Sequence, residues 1–320
     1  MKFFKTLFVL TILSITAFAL EIKPAGKFEA TGAVIDFIVT DKELYAGTDK
    51  GSVDIFDLNS HKLKKSIKLE KIEDFMGELY PPKVFSVDLS PDKTSILILS
   101  EATGGARNLF LYKNGKFDVL ISSEERLFIK KAKFINDEKI LLGLLSNEII
   151  LYDIKSRKEI YREQLSQSRF SDFALDENRK RAVSSCESGD IFMIEVGSGK
   201  LLRTFTGANV DNVYKVDIKK DKIVAAGQDR RLSIYNVDTG RYKYYQGNFL
   251  IYSAALDPDA KIAAFAINEE NDIAILNIST MSIKHMLKGH KSTLNTIVFV
   301  SKDHLYSSSD DPKILEWRLP

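Results

Sequence analysis

Near its C-terminus the chain reads "LKGHKSTLNTIVFVSKDHLYSSSDDPKILEW". This stretch holds His290, Ser307 and Asp311, and ends on the only tryptophan, Trp317. Serine, histidine and aspartate are the residue types of nucleophilic acyl transfer: the serine attacks, the histidine takes its proton and the aspartate orients the histidine. The elbow that would present such a serine, G-x-S-x-G between a strand and a helix, is absent. Metal chemistry has little to work with. The four histidines, His61, His285, His290 and His304, form no H-x-H or H-E-x-x-H pair. Redox chemistry through C-x-x-C or haem attachment through C-x-x-C-H is ruled out by a single cysteine, Cys186. With no histidine near it, Cys186 is expected to be a small buried apolar side chain. The paired glycines of "SEATGGARN" lie between two strand-like stretches. A phosphate cradle would need a helix N-terminus behind them, so an ordinary loop is expected.

The elements that would position such residues are short and repetitive. "SVDIFDL", "NLFLYKN", "EIILYDI", "DIFMIEV", "LSIYNV", "DIAILNI" and "KILEWRL" share one strand-like alternation of apolar residues. Their equivalent large residues are Phe56, Tyr112, Tyr152, Ile194, Tyr235, Leu276 and Trp317, at successive intervals of 56, 40, 42, 41, 41 and 41. A period near 41 built only of strands predicts an all-β, seven-bladed β-propeller. Each repeat supplies four strands separated by turn sequences such as "SPDK", "DPDA" and "VDTG". The seventh stops after its third strand. An open blade would expose an unpaired edge, so residues 20–30, "EIKPAGKFEA" among them, are expected to pair beside "ILEWRL" and close the ring. Pro24 would be tolerated there on an outer edge.

The first 19 residues have a secretory layout: Lys2 and Lys5, an apolar run too short to span a bilayer comfortably, then Ala17-Phe18-Ala19 as a cleavage site. Residues 1–19 are therefore expected to be a signal peptide cleaved after Ala19, leaving 20–320 as one soluble propeller domain in the periplasm. No cysteine follows the cleavage site for lipid attachment. Losing Lys2 and Lys5 from 46 basic residues leaves 44 against 44 acidic ones. A neutral chain is poorly suited to nucleic acid.

The last repeat resembles a WD40 repeat, with Gly289-His290, Ser307, Asp311 and Trp317 at that family's usual spacing. The resemblance implies a hydrogen-bonded structural chain of His290, Ser307, Asp311 and Trp317, and not a catalytic one. Blade five keeps Asp229 before Tyr235 but has Gly207-Ala208 in place of Gly-His; the other repeats keep mainly the apolar pattern. An exported seven-repeat chain of this style is also similar to the NapL-type accessory proteins of periplasmic nitrate reductases. That similarity implies support of the reductase's assembly or electron supply, without turnover on this chain.

Two insertions suit binding. "EKIEDFMGELYPPK" lengthens the link between blades one and two, and "EATGGARN" lengthens a loop of blade two. In WD40 topology both emerge on one face. Phe75, Met76, Leu79 and Tyr80 would supply apolar contact there. Glu73, Asp74, Glu78 and Arg107 would supply charge. A lid folded down on its own blade is the competing reading. The expectation is a monomeric, non-enzymatic interaction protein, without cofactor or metal, whose partner is a periplasmic protein such as a nitrate reductase subunit. Two alternatives stand beside it. One is a propeller enzyme holding a metal in the axial channel through ligands from separated repeats. The other is a scaffold for envelope protein assembly.

Overall fold

The computed structural model describes residues 20–320; the expected signal peptide, residues 1–19, lies outside the described residues. The chain is a seven-bladed β-propeller. Each blade is built on an antiparallel sheet whose strands run in chain order from the axis outwards, apart from the outermost strands of blades six and seven, which come from the N-terminal segment. Blade one, for example, comprises Val34–Val39, Glu43–Thr48, Ser52–Asp57 and Leu63–Lys68. The inner strands of the other blades are Val84–Leu89, Ile129–Phe134, Phe170–Leu175, Val213–Lys219, Ala254–Leu256 and Leu294–Ser301.

Burial explains the order. In most blades the second and third strands are buried on both faces because a blade on each side covers them, whereas the outer strands alternate or are polar throughout. Seven apolar clusters result, each filling the gap between two neighbouring blades. Six of the seven repeat-marking residues are buried in them; Tyr112 of blade two is only half-buried. Cys186 is fully buried.

The inner strands are also stitched across blades by aspartates. The Val87 N–H donates to Asp36 Oδ2 at 3.0 Å, Phe134 N–H to Asp88 at 2.7 Å, Val216 N–H to Asp172 at 3.2 Å and Leu256 N–H to Asp217 at 2.9 Å. Sequence reasoning missed this ladder. Its signal was an acid recurring inside apolar inner strands: "VIDFIV", "FSVDL", "FSDFAL" and "KVDIK".

The ring closes as expected. Gly26–Glu29 pairs antiparallel with Lys313–Arg318 and becomes the outer strand of blade seven, with Phe28 wholly buried. One part was not foreseen. Leu20–Ile22 runs parallel to Ser282–Leu287 and adds a fifth strand to blade six. Pro24 therefore stands between two strands, where the chain crosses from blade six to blade seven, and in neither. Glu316 supports the closure. It accepts from His61 at 2.7 Å and from Arg318 at 2.8 Å, with His304 at 3.0 Å. Burial pushes its carboxyl up, but the His61 and Arg318 hydrogen bonds outweigh burial and hold it below the usual range. Among the described residues no helix is long and apolar enough to cross a membrane.

Candidate functional site

The triad residue types come first. His290 lies in the link between blades six and seven and is buried. Its Nε2 is 2.6 Å from Ser307 Oγ, its Nδ1 is 2.9 Å from Ser309 Oγ, and Trp317 Nε1 donates to Ser307 Oγ at 2.7 Å. The indole can only donate. Every group is satisfied when Ser307 accepts from Trp317 and donates to Nε2, and Nδ1–H donates to Ser309. Burial of the imidazole lowers its pKa to about 4, so it is neutral. Ser307 and Trp317 are wholly buried, and the chain links strands within the blade. Asp311 is not in this chain. Its carboxylate caps the Lys313 N–H at 2.7 Å, and Ser309 takes the place on Nδ1 that the resemblance gives to Asp311.

Blade five holds a reduced version. Tyr235 replaces tryptophan and its hydroxyl accepts from Ala208 N–H at 3.3 Å, while Asp229 accepts from Asn209 Nδ2 at 3.1 Å and from Val210 N–H at 2.9 Å. His61 and His304 are drawn to Glu316. Among the described residues no three His, Cys, Asp or Glu side chains converge as metal ligands.

The insertions do share a face. "EKIEDFMGELYPPK" forms a hairpin, Ile72–Glu73 against Leu79–Tyr80, between the outer strand of blade one and the inner strand of blade two. Asp74 builds its tip: its Oδ1 accepts from the N–H groups of Met76 at 2.8 Å and Glu78 at 2.9 Å, and Gly77 has φ +83°. Asp74 is thus committed to the turn and only Glu73 and Glu78 are left as a charged rim. Phe75 is 96% exposed, Met76 73% and Leu79 60%, while Tyr80 is half-buried. The apolar tip points into solvent and does not fold down as a lid. Beside it Thr103–Gly105 makes a short 3-10 turn. Arg107 lies 4.1 Å over the ring of Phe85 and donates to the carbonyls of Gly105 and Ala106. The two insertions are tied at their bases by Glu101 N–H donating to the Lys83 carbonyl at 2.8 Å.

Phe85 also lines one mouth of the axial channel. This mouth, about 500 Å³, is built from the starts of the inner strands and so opens on the insertions' face. The opposite mouth, about 620 Å³, is built from their ends. Between them the channel is lined by charge. Lys131 binds Asp172 at 2.7 Å, and Lys133 binds Asp36 at 3.1 Å and the Val87 carbonyl at 2.7 Å. Burial disfavours the charge on Lys131, but Asp172 and Asp36 more than restore it. Lys215 is different. Loss of water, with repulsion from Lys131 and Lys133, outweighs the pull of Asp172 and Asp36 and lowers its pKa.

No family model matches the chain. It is similar to Autophagy-related protein 16 of Arabidopsis thaliana, 22% identical over 170 residues that cover 51% of this chain. The match spans about a third (32%) of that protein's length.

Proposed function

We propose that the chain is a protein-interaction propeller that acts by binding and not by turnover, and that its docking face is the one carrying the two insertions. The observation that carries this reading is the hairpin tip: Phe75, Met76 and Leu79 stand in water at the end of a built turn, beside an open channel mouth. Exposed aromatic and methionine side chains grouped on a rigid support are the composition of an interface core. The Ser and His of the last repeat are spent on holding blade seven together.

The finer reading comes from the sequence. The N-terminal layout supports export to the periplasm, and the similarity to NapL-type proteins supports a role as accessory to a periplasmic nitrate reductase. Removing the gene is expected to slow nitrate reduction by whole cells, while the purified protein reduces no nitrate. Unchanged whole-cell nitrate reduction would end the nitrate reading and leave the docking face to be tested by itself. A purified protein that turned over nitrate would contradict the binding reading.

A further inference from the structure

The channel mouth beside the hairpin is lined by four basic side chains, Lys130, Lys131, Arg169 and Lys215, and four acids, Asp36, Asp172, Glu187 and Asp310, but the acids already have partners. Asp172 is occupied by Lys131 and the Val216 N–H, and Asp36 by Lys133 and the Val87 N–H. Of the acids nearer the rim, Asp310 accepts from Asn295, and Glu187 stands 3.8 Å from Arg169. That leaves Lys215, inside the mouth, and Lys130, exposed at its edge, with neither a hydrogen bond nor an ion pair among the described residues. Lys215 works against the charge on Lys130, which is lowered by loss of water and then by Lys215, Arg169 and Arg107. An anion between them would relieve this repulsion. A charged hydrogen bond in so sheltered a place is stronger than one in open water.

The surroundings choose between a free anion and one carried on a chain. The rim is aromatic: Tyr214 and Tyr252 stack at 5.2 Å, with Phe85 opposite under Arg107. The mouth opens on the same face as the apolar hairpin tip. A small ion would use neither feature, whereas a polypeptide crossing the face would meet both.

We propose that this mouth receives a carboxylate-rich segment of a protein partner, with Lys215 as the inner anchor and Lys130 and Arg169 as rim contacts. This rests on the docking face proposed above and gives its partner a chemistry.

The test is fluorescence polarisation with labelled hexaglutamate at low ionic strength. Hexaglutamate is expected to bind saturably and labelled hexalysine not at all, and added salt should weaken binding. Lys215→Met is expected to weaken it at least about tenfold, and Lys130→Glu, at an exposed position that cannot unfold the ring, several-fold. Lys93→Ala at the opposite mouth should change nothing. Phe75→Ala with Leu79→Ala should leave hexaglutamate binding within about twofold, which separates this site from the apolar tip. Absence of hexaglutamate binding, or a folded Lys215→Met and Lys130→Glu that both bind as the parent does, would overturn the proposal. So would glutarate alone binding as tightly as the peptide, because the site would then belong to a small anion.

Discussion

Blade seven and blade two are built on the same repeat and spend their side chains in opposite ways. In blade seven every unusual residue is turned inward. His290, Ser307, Ser309 and Trp317 satisfy one another, Glu316 gathers His61, His304 and Arg318, and Phe28 arrives from the far end of the chain to fill the last gap. In blade two the unusual residues are turned outward. Its third strand is mostly half-exposed, and Tyr112 meets Phe117 edge to face at 4.9 Å and accepts from Lys65 at the surface where other blades bury their marker residue. Its two insertions end in an apolar tip and an arginine laid over an aromatic ring. Residue types that suggest chemistry therefore hold the fold where they are paired, and residues that look like loop filler become the candidate site where they are left without partners.

The sharpest way to break this comparison is to remove the strand that completes blade seven. A chain lacking residues 20–30 loses the burial of Phe28 and exposes the edge of Lys313–Arg318. The loss is expected to exceed about 3 kcal/mol, seen as a much lower melting temperature. A truncated protein that melts like the parent would show that closure contributes nothing.

Acid should act next most strongly, and on blade seven first. His290 is neutral when folded, with its pKa lowered by burial to about 4 from an ordinary 6.5. The unfolded chain binds the proton more readily, so stability is full above pH 6.5 and falls as pH drops from there towards 4. The change approaches about 3 kcal/mol. His304 and His285, both lowered by burial, act in the same direction. Chemical denaturation followed by the fluorescence of Trp317, the only tryptophan, reads this directly. Stability unchanged between pH 7 and 5 would contradict a buried neutral His290.

Within the polar chain the ranking is also testable. Ser307→Ala leaves the Trp317 indole and the His290 imidazole without their shared partner and should cost about 1–3 kcal/mol. Asp311→Asn keeps an acceptor for the Lys313 N–H and touches neither ring, so its cost should be under about 1 kcal/mol. Equal losses in the two variants would restore Asp311 to the chain that the WD40 resemblance implies. Denaturation midpoints of the two variants decide this.

Much of the architecture was legible because a repeat near 41 residues counts blades regardless of its sequence, and because a ring short of one strand must find it elsewhere. Tyr112 and Trp317 marked the third strands although one ends half-exposed and the other fully buried. The parallel strand Leu20–Ile22 was not legible: three residues with a charge in the middle carry no period, and their pairing is decided by the exposed edge of blade six. Of the candidate site, Phe75, Met76 and Leu79 could be read from their types and from the length of the insertion. Asp74 could not be told from a rim charge, since an aspartate that opens a turn and one on a surface look alike in sequence. The place that the resemblance gives Asp311 is taken by Ser309, two residues away, while Asp311 caps the turn through the Lys313 N–H. The channel charges were missed entirely. Lys131, Asp172 and Lys215 lie on three different blades and meet only when the ring closes.

The central claim is that partners bind across the hairpin and the adjoining channel mouth. Site-specific photocrosslinking in cells tests it most directly, with the photoreactive residue placed at Phe75 in one variant and at Leu202, exposed on the outer strand of blade four, in another. The account predicts one discrete crosslinked protein from position 75, none from position 202, and loss of the first when Lys215→Glu is added. Crosslinking equally strong from position 202, or from position 75 regardless of Lys215→Glu, would contradict it.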